Sequence, residues 1–238
     1  MNKYRIKLAE NTSSLAHLTS QFITTEIKRI ILEKGKANIS LSGGNTPSST
    51  YLLMNRESVQ WDSVHVFLGD ERWVDHSDVS SNARMIRSTL LSKEGPGSKA
   101  HFYPIQTTEL SSPEESSRSF SELISQKITG SPPIFDLILL GLGSDGHTAS
   151  LFPGSSNLDI STNWTAVENS QSITRITLTP PVLSAAHKVI FLVSGESKKI
   201  ALGRLFDESE SHKRTPARIV QTKNKITVIA DQAAMPSV

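Results

Sequence analysis

Residues 135–155 read FDLILLGLGSDGHTASLFPGS, and the fold turns on how the first part of this stretch is understood. Phe135, Leu137, Ile138, Leu139 and Leu140 form an apolar run broken only by Asp136. The run is too short for a helix of ordinary length and lacks the alternation of a strand with one wet face. It reads as a strand over residues 135–140, buried on both faces of a parallel sheet. The next six residues, Gly141 to Gly146, match the spacing G-x-G-x-x-G of a loop that wraps a dinucleotide. His147 follows at once and introduces acid–base chemistry into the same turn.

Outward from this strand, short apolar runs alternate with helical patterns. Strands are expected over residues 4–8, 37–41, 64–68, 173–178, 188–193 and 226–230. Between them, Leu15, Leu18, Phe22, Ile27, Ile30 and Ile31 share one helical face, and Gly35 closes that helix. Further helices are expected over residues 47–54, 83–91, 114–128 and 198–206. Residues 95–99 and 107–113 read as loops, and residues 163–167 as a poor strand. Strands separated by helices imply an α/β fold, with a mostly parallel sheet covered by helices on both faces. No internal repeat or long linker divides the chain, so residues 1–238 are expected to form a single domain.

Composition narrows the function. Lys and Arg number 25 against 23 acids, with the charges mixed along the chain. A partner such as nucleic acid is not expected, because phosphate-backbone binding wants clustered cations in local excess. There is no cysteine, which removes disulfides and thiol catalysis and argues against a zinc site. The opening MNKYRIKLAENTSSL lacks the apolar stretch of a secretory signal. The apolar runs are too short to span a bilayer, which takes about 20 helical residues. A soluble protein with no membrane partner is therefore expected, and the lack of cysteine fits the cytoplasm.

In open α/β sheets, ligands sit at the carboxyl ends of the strands, and three unusual loops fall there. Ser42-Gly43-Gly44-Asn45-Thr46-Pro47 follows the strand ending at Leu41. Thr46 suits the N-cap and Pro47 the first helical position. The two glycines let backbone N–H groups approach an anion at a helix N-terminus; a tight turn with a capped helix fits the same residues. Gly69-Asp70-Glu71-Arg72-Trp73 follows the strand over residues 64–68, either as a self-paired surface cluster or as part of the same site. Ser81, Asn82 and Arg84 are expected to face the same cleft. Arg175 and Lys198 lie at strand edges, with no acid near Arg175 in sequence, and would suit an anionic substrate.

The turn after residue 140 can now be weighed. A dinucleotide loop needs a free backbone beside the pyrophosphate and an acid about 20 residues on for the ribose. Asp145 places a carboxylate where the pyrophosphate would lie, and Glu168, at roughly the right offset, follows the poor strand. An Asp-Gly-His-Thr turn opening into a short helix fits an acid–base site better, with Asp145 orienting the His147 imidazole. A structural, hydrogen-bonded histidine is the plainer alternative.

SGGNTP, GDERWV, Ser81-Asn82 with Met85, GLGSDGHTASLFP, RITLT and SGESKKIAL, in this order and spacing, resemble the 6-phosphogluconolactonase family. The resemblance runs from about Ser42 to Ala217. It implies the fold shared with glucosamine-6-phosphate deaminase and ribose-5-phosphate isomerase, a cytoplasmic location, no metal or organic cofactor, and a sugar-phosphate lactone as the substrate that is hydrolysed. The deaminase is the near competitor, but Phe152 stands where its turn carries a glutamate. A non-catalytic sugar-phosphate binder on the same scaffold is a further alternative. Asn45, Ala83 and Ser144 depart mildly from the family pattern, where Ser, an aromatic and Pro are usual. On this reading His147 is the general base and Asp145 fixes its tautomer. Gly43, Gly44 and Arg72 would meet developing negative charge or sugar hydroxyls. Asp70 would bind a hydroxyl or position Arg72, and Arg175 and Lys198 would hold the phosphate. Ser42, Asn45, Thr46 and Asn82 complete the expected substrate-binding set.

Overall fold

Ten strands and six α-helices make up the computed structural model, which describes residues 3–236. The first half runs β1 (Tyr4–Ala9), α1 (Thr12–Lys34), β2 (Ala37–Leu41), α2 (Asn45–Asn55), β3 (Val64–Leu68), β4 (Asp70–Arg72), α3 (Asn82–Ser88), β5 (His101–Tyr103) and α4 (Pro113–Lys127). The second half runs β6 (Leu137–Gly141), β7 (Thr165–Glu168), β8 (Arg175–Leu178), α5 (Pro180–Ala185), β9 (Val189–Val193), α6 (Lys199–Phe206) and β10 (Ile226–Asp231).

Seven strands form one sheet in the order β1-β10-β9-β6-β2-β3-β5, and every neighbouring pair is parallel. All residues of β2, β9 and β10 are buried, so both faces of the sheet are covered. That is why these strands, like residues 137–140, are apolar without alternation. The hydrophobic effect supplies the main drive for this burial, about 25 cal/mol per Å² of apolar surface. Helix α1 starts at a capping box between Asn11 and Ser14 and ends at Gly35, whose φ of 78° is the left-handed closure the sequence suggested. Its buried stripe centres on Ile23 and Ile27, with the small Thr19, Ser20 and Thr24 letting it lie close to its neighbours.

Several local expectations fail for tertiary reasons. Residues 163–167 include a real strand: β7 pairs with β8, which pairs with β4, making a second, antiparallel three-stranded sheet. Neighbouring strands, rather than apolar patterning, hold these short segments extended. Asp70–Arg72 is thus strand and not loop, and α4 packs against β7 and β8. The expected strand over residues 173–178 begins at Arg175. Helix α2 starts two residues earlier than expected. Its N-cap is Gly44, at φ 109°, and no side chain caps it, so Thr46 lies inside the first turn.

The order of the large sheet creates its site. From β2 the chain crosses to β3 on one side, and from β6 it crosses to β9 on the other. The carboxyl ends of β2 and β6 therefore flank a topological switch point, where the loops leave in opposite directions and open a crevice.

Candidate active site

A cavity of about 250 Å³ opens at this switch point. It is lined by Ser42, Gly43, Gly44, Asn45 and Thr46 after β2, and by Gly141, Leu142, Gly143, His147 and Ala149 after β6. Asp70, Arg72 and Asn82 come from β4 and the start of α3, Arg175 from β8, and Leu192, Val193, Ser194 and Lys198 from β9 and beyond. The residues expected at the site line it except Ser81, which caps α3 and donates to Glu71, Asp145, which bonds the His147 ring, and Arg84. Arg84 does not line it; its guanidinium donates to the Ser77 carbonyl at 2.8 Å.

The turn after β6 is fastened by its own backbone. Gly143 N–H donates to the His147 carbonyl at 2.8 Å, and Gly146 N–H to the Gly143 carbonyl at 3.0 Å. No helix follows; Thr148 and Leu151 form an isolated bridge, and the next helical turn is the 3-10 segment Ser156–Asp159. Between them Ala149 takes φ 49°, a left-handed conformation that a residue with a Cβ rarely adopts. His147 Nδ1 lies 2.6 Å from Asp145 Oδ1, and the His147 backbone N–H donates to the same oxygen at 3.1 Å. A carboxylate only accepts, so the ring proton sits on Nδ1 and Nε2 keeps its lone pair. Partial burial alone would raise the Asp145 carboxyl. The backbone N–H, the charge and the ring N–H of His147 together hold it below the usual carboxylate range.

These contacts explain the glycines of the opening stretch. A Cβ on Gly143 would overlap His147 Nδ1 and Asp145 Oδ1, so this glycine makes room for the His–Asp pair. Glu168, the candidate ribose ligand of a dinucleotide site, is buried and does not line the cavity. It accepts from Ser155 Oγ, from Asn157 Nδ2 at 3.1 Å and from Ser170 N–H at 2.7 Å. The dinucleotide reading has no structural counterpart.

Across the crevice, Asn82 Oδ1 accepts from Arg72 Nη1 at 2.5 Å, and Asn82 Nδ2 donates to the Asp70 carbonyl at 2.8 Å. A Cβ on Gly43 would overlap that Asn82 amide. Arg72 also donates to the Ser80 carbonyl at 2.9 Å, so its partners are neutral and its charge is uncompensated there. Glu71 points away from Arg72's guanidinium into the protein. Its fully buried carboxylate accepts from the N–H groups of Arg72, Asn82 and Ala83 and from Ser81 Oγ, pinning the start of α3. Burial pushes its carboxyl above the usual range, against the pull of those backbone donors. Sequence reasoning gave no role to Ser150 and Ala149, and took Glu71 only as one acid of the cluster from Gly69 to Trp73. Only Glu71's position between two polar site residues offered a signal.

The Asp70 carboxylate makes no ion pair with Arg72 among the described residues; the two are linked through the Asn82 amide. Asp70 Oδ2 accepts from Ser150 Oγ at 2.6 Å and lies 3.8 Å from Arg175 Nη1. Arg175 therefore does have an acid nearby, brought by the antiparallel register that sets β4 beside β8. Burial lowers the Arg175 pKa from its ordinary value, Asp70 pulls it up, and Arg72 pushes it down again. Arg175 Nε and Ser42 Oγ are buried without a hydrogen-bond partner, and both residues line the cavity. Lys198 has no carboxylate within 4.0 Å among the described residues. The loop before it is tied by buried Asp231, which accepts from Ser194 Oγ at 2.5 Å and from Gly195 N–H at 3.0 Å. No three His, Asp or Glu side chains among the described residues are grouped to hold a metal ion, and no helix among them is long and apolar enough to cross a membrane.

Fold and site together define an α/β protein with a hydrogen-bonded His–Asp pair and three cations lining a small polar crevice. The sequence pattern of the family described as glucosamine-6-phosphate isomerases/6-phosphogluconolactonase matches residues 10–229. A 6-phosphogluconolactonase of Synechocystis sp. is 39% identical over 216 residues, covering 89% of each chain. The crystal structure of a 6-phosphogluconolactonase from Shewanella baltica superposes with a TM-score of 0.86 at 27% identity, over 95% of this chain and 97% of that one. A monomeric glucosamine-6-phosphate deaminase shares the fold at a TM-score of 0.78 and 20% identity, over 97% and 98% of the two chains. The chain belongs to the glucosamine-6-phosphate isomerase/6-phosphogluconolactonase family.

Proposed function

We propose that this protein hydrolyses 6-phospho-D-glucono-1,5-lactone to 6-phosphogluconate, the second step of the oxidative pentose phosphate pathway, in the cytoplasm. The observation that carries the proposal is the His147 imidazole, tautomer set by Asp145 at 2.6 Å, facing a cavity lined by Arg72, Arg175 and Lys198. Water positioned by Nε2 attacks C1 of the lactone as Nε2 takes its proton. The tetrahedral oxyanion collapses, the bond from C1 to the ring oxygen breaks, and the imidazolium returns the proton to the departing C5 oxygen. The product is the open-chain acid, which ionises at neutral pH.

Two features answer the charge that develops. Gly43 and Gly44 precede the uncapped N-terminus of α2, whose free N–H groups and dipole favour an anion. Arg72, bound to neutral partners, brings a full positive charge to the same side of the cavity. Arg175 and Lys198 are the phosphate ligands, through charge-assisted hydrogen bonds. Ser42, Asn45, Thr46, Asp70 and Asn82 contact the sugar hydroxyls. Phe152 separates this activity from the deaminase: it lies 4.5 Å from His147, centroid to centroid, and offers no carboxylate for proton transfer.

A paired assay tests the proposal: loss of the phosphorylated lactone against ammonia release from glucosamine 6-phosphate, with and without chelator. The expected outcome is lactone hydrolysis without ammonia, unaffected by chelator. Comparable ammonia release would overturn the lactonase reading. Loss of hydrolysis with chelator would overturn the metal-free mechanism.

A further inference from the structure

Phe152 is 5% exposed and touches two members of the site at once. Its ring lies 4.5 Å from the His147 imidazole, tilted by 42°, and the Arg175 guanidinium carbon stands 5.3 Å from its centroid. The distance between the His147 ring and the Arg175 guanidinium therefore cannot exceed these two contacts together, a span that a sugar phosphate can bridge. The Phe152 backbone is fastened as well: its carbonyl accepts from Ser155 N–H at 3.1 Å, and Ser155 Oγ donates to Glu168. Glu168 faces Arg175 across the β7–β8 pair. Phe152 thus spans the β6 turn and the small sheet, which otherwise meet here through Ser150 and its bonds to Asp70 and Thr177.

The contacts on the two sides differ in kind. Arg175 is half-buried, its Nε has no partner, and its nearest carboxylate is 3.8 Å away. The electron-rich face of an aromatic ring gives such a guanidinium a counter-surface without neutralising it, so the charge stays available to an anion. His147 is 31% exposed at its side chain; the tilted ring closes one side of the imidazole and limits its rotation about the Asp145 bond.

We propose that Phe152 is a positioning residue: its ring, wedged between His147 and Arg175, sets the separation of the general base from the cation that receives the substrate's phosphate. The inference rests on the roles given above to His147 and Arg175. It predicts a double kinetic signature, because one side chain serves both ends of the substrate.

The test compares Phe152→Leu and Phe152→Tyr on the phosphorylated lactone and on unphosphorylated glucono-1,5-lactone. Phe152→Leu should lower kcat about tenfold on both and raise KM about fivefold on the phosphorylated substrate alone, and Phe152→Tyr should recover most of both losses. A parallel measurement reads the contact without the reaction: the His147 ring-proton NMR resonances should shift between wild type and Phe152→Leu as the ring current is removed. Should Phe152→Leu not fold, Phe152→Met carries the same comparison. Kinetics within twofold of wild type, or KM changes equal on the two lactones, would overturn the proposal; so would unshifted His147 resonances. Wild-type protein inactive on both lactones would overturn the lactonase reading instead, while the NMR comparison still decides the placement of the ring.

Discussion

Two clefts open at opposite ends of the same parallel sheet, and both are lined by cations. At the carboxyl ends stand Arg72, Arg175 and Lys198. At the amino ends, another cleft is lined by Arg5, Arg29, Lys34, Lys188 and Lys225. Counted by charge alone, the amino-end cleft is the better anion site, but three of its five cations are paired. Lys34 meets Asp136 at 2.6 Å, Lys188 meets Glu26 at 2.6 Å, and Arg29 meets Glu33 at 2.6 Å, while Arg5 and Lys225 lie in solvent. At the carboxyl ends, Arg72 has neutral partners, Lys198 has no ion pair among the described residues, and Arg175 holds Asp70 only at 3.8 Å. The carboxyl ends also receive the N-terminus of α2, whereas the amino ends receive the C-terminus of α1, where cations offset the helix dipole. What sets the carboxyl ends apart is a helix N-terminus beside their unpaired cations, rather than the number of charges.

The comparison breaks most visibly at His147. His147→Ala should lower kcat by about two to four orders of magnitude over the spontaneous background, with folding retained by circular dichroism. Near wild-type turnover would remove His147 from the chemistry. Gly143→Ala should come next, because the added Cβ would displace the imidazole and its carboxylate. A loss of about a hundredfold in kcat, with KM little changed, is expected from a base moved by an ångström.

Arg175→Ala and Lys198→Ala should each cost about 1.5–3 kcal/mol of phosphate binding, read as a rise in KM on the phosphorylated lactone but not on the unphosphorylated one. Their counterparts at the amino ends sharpen the contrast. Lys34→Ala should leave KM unchanged on either lactone. Denaturant titration should show about 1 kcal/mol less stability, since buried Asp136 then keeps only the Asn38 N–H.

The smallest effect is one of pH. Burial alone would raise the Glu26 carboxyl, but hydrogen bonds and charge from Lys188 and Arg29 hold it below the usual range. A folded-state value below the unfolded one stabilises fully above about pH 4.3, and that stability is lost as pH falls through the folded value. Lys188→Ala should therefore flatten the acid limb of a Tm-against-pH curve without touching the kinetics. An unchanged acid limb would show that this pair contributes nothing.

Some of this was legible in the chain alone. Residues 135–140 announce a strand wet on neither face, and the spacing of Leu15, Ile27 and Ile30 announces a helix with one buried face. Loops at the carboxyl ends were expected to share a cleft, and the family resemblance gathered Ser42 to Thr46, Asp70, Arg72, Asn82, His147, Arg175 and Lys198 into one set, all of which line the crevice. The pairings within that set were not legible. Asp70 is 80 residues from Ser150, and no local pattern announces the bond. Of the small sheet only β8 was legible as a strand; β4 and β7, three and four residues long, lack a clear apolar pattern and gain strand geometry by pairing with it.

The sequence by itself determined what is local or periodic: the buried strands, the capped helix, the glycine turns and the Asp145-x-His147 spacing that lets one residue's carboxylate reach the other's ring. These depend on sterics and on side chains a few positions apart. Only the tertiary structure decided which charges are neutralised and which are left for a ligand. Glu71 was turned inward to hold α3, Asp70 was given to Ser150 and Arg175, and the Phe152 ring was set against both His147 and Arg175. Charge pairing is a property of distance in space, and strands far apart in the chain set those distances through the register of two sheets.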